Sequence, residues 1–276
     1  MSETNIEIHS AMPKPFPPEY ASGWGEDRHG LWMSFKYKNV RQVLRWIRPG
    51  KFMMGSPESE PERHNDERLH EVILTNGFWV AETACAQELW EAVMGSNPSH
   101  FKGVTRPVER VSWDDCMEFI GKINPMIPGL DLRLPTEAEW EYSCRAGTTT
   151  PFSFGENITT DQVNYDGSRP YNNGAKGEYW EKTVDVKSFP CNNWGLYEMH
   201  GNVWEWCSDY WDSEYLEGSL VDPGGPDSGE DRVLRGGGWF NFGRLVRSAF
   251  RGRNEPGYRY RDRGFRFARG HKSQGS

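Results

Sequence analysis

An α+β domain of short strands, few helices and much ordered loop is what this sequence predicts, on three observations. Aromatic residues make up 14% of the chain, with 13 Trp, while apolar residues total only 36%, so the core must be assembled from rings rather than aliphatic layers. Gly at 30 and Pro at 18 interrupt the 276 residues too often for long regular elements. Strand signals come first, up to Ala81, and helix signals follow between Thr83 and Arg145.

Residues 1–23 hold Pro13, Pro15, Pro17 and Pro18 without periodicity and read as an extended or disordered leader; the domain proper is 24–270 and the tail 271–276. Leu31–Lys38 and Val40–Ile47 carry apolar residues at roughly alternate positions about Asn39, which predicts a hairpin ended by Pro49-Gly50. Glu71–Leu74 and Phe78–Ala81 flank Asn76-Gly77, a dipeptide suited to a tight turn, and predict a second hairpin. Thr83 can cap a helix over Ala84–Met94 that Gly95 stops. Ser112 with Asp115 supplies a capping box for Trp113–Ile123, and Thr136 with Glu139 supplies another for a helix to Arg145. From Gly147 to Val233 periodicity is confined to Thr183–Phe189 and Asn202–Trp206. So long an irregular stretch needs something other than ladders to fix it, and bound metal ions are one means.

The formal charge of −8 disfavours a general nucleic-acid or anionic-membrane binder. The charge is segregated, with Arg crowding Arg232–Arg269 and acidic residues dominating Glu58–Glu71 and Asp209–Asp231. No apolar run is long enough to span a bilayer and Met1–Ser10 is polar, so a cytoplasmic product without a signal peptide is the expectation. Cys85, Cys116, Cys144, Cys191 and Cys207 contain no Cys-x-x-Cys pair and are expected reduced and mostly buried. The 7 His, namely His9, His29, His64, His70, His100, His200 and His271, include no helical metal pair, and no Gly-x-Ser-x-Gly elbow occurs. His64 and His70, in the acidic loop, are expected to be solvated.

Six blocks occur in a telling order: Gly50–Ser56, Arg106–Asp115, Arg133–Tyr142, Gly195–Trp206, Arg232–Trp239 and Gly264-Phe-Arg266. Together they resemble the formylglycine-generating-enzyme, or sulfatase-modifying-factor, family over roughly Arg48–Arg269. The resemblance implies an elaborated C-type-lectin-like fold with a small twisted antiparallel sheet. It also implies structural calcium. One site would use Glu205 with oxygens of Gly201, Asn202 and Val203; a second would use Asn164, Glu178 and the carbonyls of Tyr165 and Trp180. Carboxylates beside backbone carbonyls are hard-cation donors, and simple hydrogen bonding of Glu205 and Glu178 in the core is the alternative.

The sequence departs from the enzymes of that family at the catalytic pair. Members that oxidise a sulfatase cysteine place two copper-binding thiolates after the Trp of the Gly-Gly-x-Trp block, where this chain has Asn241 and Val246. A soft ion needs sulfur, and no Cys follows Cys207, so no copper is expected and catalysis is not.

Between Phe240 and Arg263 the anchors Arg247-Ser-Ala249, Arg251, Pro256 and Arg259 alternate with residues of unrelated chemistry, and Gly264-Phe-Arg266 follows as a further anchor. The interspersed set is Phe240, Asn241, Phe242, Arg244, Leu245, Phe250, Gly252, Arg253, Asn254, Gly257, Tyr258, Tyr260, Arg261, Asp262 and Arg263. The pattern resembles the variable region of diversity-generating-retroelement proteins on this scaffold, where adenine changes in Asn codons yield such residues. It implies a ligand-binding display face, for an unidentified protein or surface ligand. A catalytically active or degenerate family oxidase and a permanent assembly component are the alternatives. Single-stranded nucleic acid, which Arg-aromatic interleaving suits, is disfavoured by the acidity.

Overall fold

The alternation about Asn39 folds as expected. In the computed structural model, which describes residues 12–213 and 218–270, β1 (Gly23–Asp27) pairs antiparallel with β2 (Gly30–Tyr37), and β2 turns through Lys38-Asn39 into β3 (Val40–Ile47). Lys38 takes the left-handed conformation, φ 50°, that a two-residue hairpin turn demands. Then come β4 (Gly50–Met54), β5 (His70–Leu74), β6 (Phe78–Ala81), α1 (Gln87–Met94), α2 (Trp113–Met126), β7 (Leu132–Arg133) and α3 (Glu137–Arg145). A long irregular stretch leads to β8 (Trp204–Tyr210), β9 (Leu220–Val221), β10 (Arg232–Arg235), a 3-10 turn at Gly243–Val246, β11 (Arg251–Asn254), β12 (Arg263–Gly264) and β13 (Ala268–Gly270).

The strands form a six-stranded sheet in the order β1-β2-β3-β6-β13-β7, a four-stranded sheet β11-β10-β8-β12 and a three-stranded sheet β4-β5-β9. The last described strand thus lies inside the largest sheet, antiparallel to both β6 and β7.

Both capping boxes form. Ser112 Oγ accepts from Asp115 N while Asp115 Oδ2 accepts from Ser112 N, and Thr136 with Glu139 repeats the exchange at α3. The hairpin expected around Asn76-Gly77 does not form, because β5 and β6 belong to different sheets. The crossing is held instead by Asp222, which accepts from Thr75 N at 2.8 Å and from the Thr75 hydroxyl. Gly77 lies against the Trp46 indole where a Cβ would overlap the ring. Helix α1 begins at Gln87 rather than Ala84, since Cys85 is sewn in extended form between Phe265 O and Val108 N. Thr183–Phe189 forms no strand; Val186 N donates to Thr105 O across the surface.

The predicted arm is docked where it is described: Phe16 stacks on Trp79 at 5.7 Å and meets Trp24 edge-on. Residues 1–11 and the tail 271–276 lie outside the described residues. The main core gathers Met33, Phe35, Trp79, Trp90, Phe119, Trp206, Phe265 and Phe267, ring upon ring as the composition requires. A separate small core of Phe152, Ile158, Val163, Tyr165, Tyr171 and Val246 lies under the irregular stretch and fixes it by side-chain packing. His64 is exposed as expected, whereas His70 is buried, its Nδ1 bonded to Arg68 O at 2.9 Å, because it opens β5. All the cysteines are free and all but Cys191 are buried. Among the described residues no helix is long and apolar enough to cross a membrane.

Candidate functional site

The segment from Trp239 to Arg266 is held from beneath by arginines. Arg247 reaches Glu60 and Glu67 in the acidic loop, and these carboxylates hold its guanidinium above its usual range although burial works against the charge. Arg251 forks onto Glu137 at 2.7 and 2.9 Å and donates to the carbonyls of Asp66 and Asp212. Arg259 forks onto Asp115 at 2.6 Å through each nitrogen, tying the segment to the first turn of α2. Arg235 meets Glu141 and the carbonyls of Ser248, Ala249 and Phe250. Such planar, two-point contacts fix backbone position as well as charge.

Above the anchors lies a ring-and-guanidinium surface. Phe240 meets Trp239 edge-on at 4.9 Å and Tyr260 at 6.0 Å, and Tyr260 stacks with Tyr258 at 6.3 Å. The Arg261 guanidinium sits 5.1 Å from the Trp239 ring and 5.7 Å from Tyr260, with no carboxylate at ion-pair distance among the described residues. Arg263 lies over Trp204 and Tyr258, and Arg169 lies 4.3 Å over Phe242. Two-χ aromatic side chains on a fixed backbone lose little entropy when they meet a partner.

Of the interspersed positions, Arg244, Arg253, Gly257, Tyr258, Tyr260 and Arg261 are exposed, and Phe240, Asn241, Phe242, Leu245, Gly252, Asn254 and Arg263 are half-buried. Two do not belong to the face. Phe250 is buried against Trp204 and the His64 ring, and Asp262 is buried beneath it, one oxygen on Arg263 and the other without a hydrogen-bond partner. Burial pushes the Asp262 carboxyl upward, so it contributes to packing rather than to display. Tyr179, stacked on Trp239 at 6.1 Å, and the exposed Trp180 and Arg169 extend the area from the irregular stretch. The only sequence signal for them was an adjacent pair of rings in a polar loop.

The two positions that correspond to the enzymes' thiolates have other duties. Asn241 Oδ1 accepts from Gly238 N at 2.7 Å and its carbonyl accepts from Asp166 N at 2.9 Å, so it pins a turn. Val246 is buried in the small core, and its carbonyl accepts from His200 Nδ1 at 2.7 Å. His200 Nε2 accepts from Ser153 N, and burial holds this imidazole down at about 4, hence neutral.

The cation positions divide. Glu205 accepts from Arg266 at 2.6 and 2.8 Å and from Trp140 Nε1 at 2.6 Å, so the first set does not fit: a cation there would face a buried guanidinium. This corrects the reading of Glu205, Gly201 and Val203 as calcium ligands. Asn202 spends its amide on Asn164 Nδ2, Val184 N and Val184 O. In the second set, Asn164 and Tyr165 are buried and Asn164 Oδ1 has no hydrogen-bond donor, the state of an oxygen awaiting a hard cation or a water. Glu178 and Trp180 are exposed at the surface.

The profile described as "Sulfatase-modifying factor enzyme 1-like domain" matches residues 32–271. The formylglycine-generating enzyme of Mus musculus is 33% identical over 234 residues, which are 77% of this chain and 60% of the mouse protein, so the chain spans less than two thirds of that relative. Among solved structures, Treponema denticola variable protein 1 superposes with a TM-score of 0.71 at 29% identity, covering 86% of this chain and 98% of that one. PvdO from Pseudomonas aeruginosa superposes with a TM-score of 0.70 at 25% identity, covering 91% and 99%. With a family profile matched along nearly the whole domain and the same C-type-lectin-like architecture in its neighbours, the chain belongs to the sulfatase-modifying-factor family.

Proposed function

We propose that this chain is a non-catalytic display module that binds a protein or surface ligand through the face of Phe240, Tyr258, Tyr260 and Arg261, diversified by a retroelement. The observation that carries the reading is the separation of duties: exposed rings and guanidinium groups stand on buried arginine anchors that leave the backbone fixed. Likeness to a variable protein over most of both chains supports it. So do Asn241 and Val246, which offer an amide and an isopropyl group where a copper(I) oxidase needs thiolates.

Exchanging Tyr258, Tyr260 and Arg261 together should change partner choice in a display screen while the melting temperature stays put. Turnover of a cysteine-bearing sulfatase peptide by the purified protein would overturn the reading. A near-copy of the coding segment for 240–263, differing at adenines beside a reverse transcriptase gene, tests the origin of the face. We propose calcium only at Asn164 Oδ1, where the orphaned acceptor supports it.

A further inference from the structure

A second chemistry lies away from the face, where the β1–β2 turn meets the loop 191–196. Cys191 is the one described thiol that is not buried, and its Sγ lies 3.6 Å from His29 Nε2. The imidazole is oriented from its other side: Nδ1 lies 3.0 Å from Asn193 O, an acceptor that requires Nδ1 to carry the hydrogen. Nε2 therefore presents its lone pair toward the thiol, where Arg28 Nε also donates to it at 2.9 Å. The His29 backbone is tied as well, its N–H donating to Asp27 Oδ1 at 2.8 Å.

The loop that carries the thiol is rigid. Asn192 accepts from Trp194 N and Leu196 N through Oδ1 and donates to the carbonyls of Ser143 and Cys144 through Nδ2. Gly195, at φ +77°, lets the loop close on the turn, where a Cβ would press on Arg45 and the His29 Cβ. Tyr197 also contacts the thiol; burial first, then the Cys191 charge and hydrogen bond, pushes its phenol upward. Thiol, imidazole and guanidinium are thus brought together by two fixed backbone segments rather than by the drift of long side chains.

We propose that Cys191 is a nucleophilic thiol, served by His29 as base, that forms mixed disulfides with low-molecular-weight disulfides. His29 Nε2 takes the thiol proton. The resulting sulfur anion, beside the Arg28 guanidinium, attacks one sulfur of the small disulfide. A new S–S bond forms to Cys191, the old one breaks, and the departing thiolate receives the proton from His29. The exchange is redox-balanced by the incoming disulfide and reverses with excess thiol. It is independent of the display face and holds whether or not that face binds a ligand.

The test uses the folded full chain with 5,5′-dithiobis(2-nitrobenzoate) and, separately, oxidised glutathione followed by mass spectrometry. One thiol should react fast at neutral pH and the others only after unfolding. Cys191→Ser should abolish the fast phase. His29→Gln should keep the thiol but slow it by roughly tenfold, a modest share of what a positioned base supplies. As a control that does not depend on that variant folding, Cys191 should outpace a free peptide of residues 186–196 by a similar factor. A rate equal to the peptide's, an unchanged rate in a folded His29→Gln protein, or several thiols reacting together would overturn the assignment.

Discussion

Arg247 and Glu67 share two hydrogen bonds, Nη2 to Oε1 at 2.6 Å and Nη1 to Oε2 at 2.8 Å, and neither side chain reaches solvent. The pair joins the displayed segment to the acidic loop 58–71, so charges segregated along the sequence cancel in space. Removing one member strands the other without compensation. Arg247→Ala should therefore lose about 3–5 kcal/mol of stability in urea titration.

Arg261→Ala should behave in the opposite way. Its guanidinium rests on rings with no carboxylate partner among the described residues, so stability should move by no more than about 0.5 kcal/mol. Against a selected binding partner, loss of Arg261 or Tyr260 should cost about 2 kcal/mol, read by calorimetry. Equal losses of stability and binding would mean that the face is part of the frame.

Glu198 gives a pH signature. Burial pushes its carboxyl from the ordinary 4.5 up to about 7, although Lys187 and Phe189 N–H groups pull it down. Because the folded value is raised, its favourable contribution is complete below pH 4.5 and is lost as pH rises through 7. Glu198→Gln should match the parent near pH 4.5 and gain on it toward pH 8, by at most roughly 3 kcal/mol. Glu109 and Asp209, also raised to about 7 by burial, tilt the parent curve the same way, so the difference between the two proteins is the quantity to read.

For the cation, chelation of the purified protein should lower its melting temperature, and Asn164→Ala should remove that sensitivity. Bound calcium at less than a trace by elemental analysis, with no shift on chelation, would leave a buried water as the partner of Asn164 Oδ1.

Local devices were legible in the sequence because each is complete within a few residues. The capping boxes at Ser112 and Thr136 and the turn at Lys38-Asn39 needed no distant partner. Asn76-Gly77 failed as a hairpin because Asp222 captures Thr75 from far along the chain. Phe250, Asp262 and His70 were misread for the same reason: their burial depends on Trp204, Gly238 and the start of β5, which alternation in a short window does not encode. Glu205 carried the right character, a buried carboxylate, but Arg266 in the last block answers it.

Strand β13 lies between β6 and β7 in the interior of the six-stranded sheet and follows the displayed segment in the chain. Any reading-frame error or premature stop introduced between Phe240 and Arg263 therefore removes a central rung rather than a fringe. Faulty copies cannot complete the molecule, so folding itself proofreads whatever is written into the display.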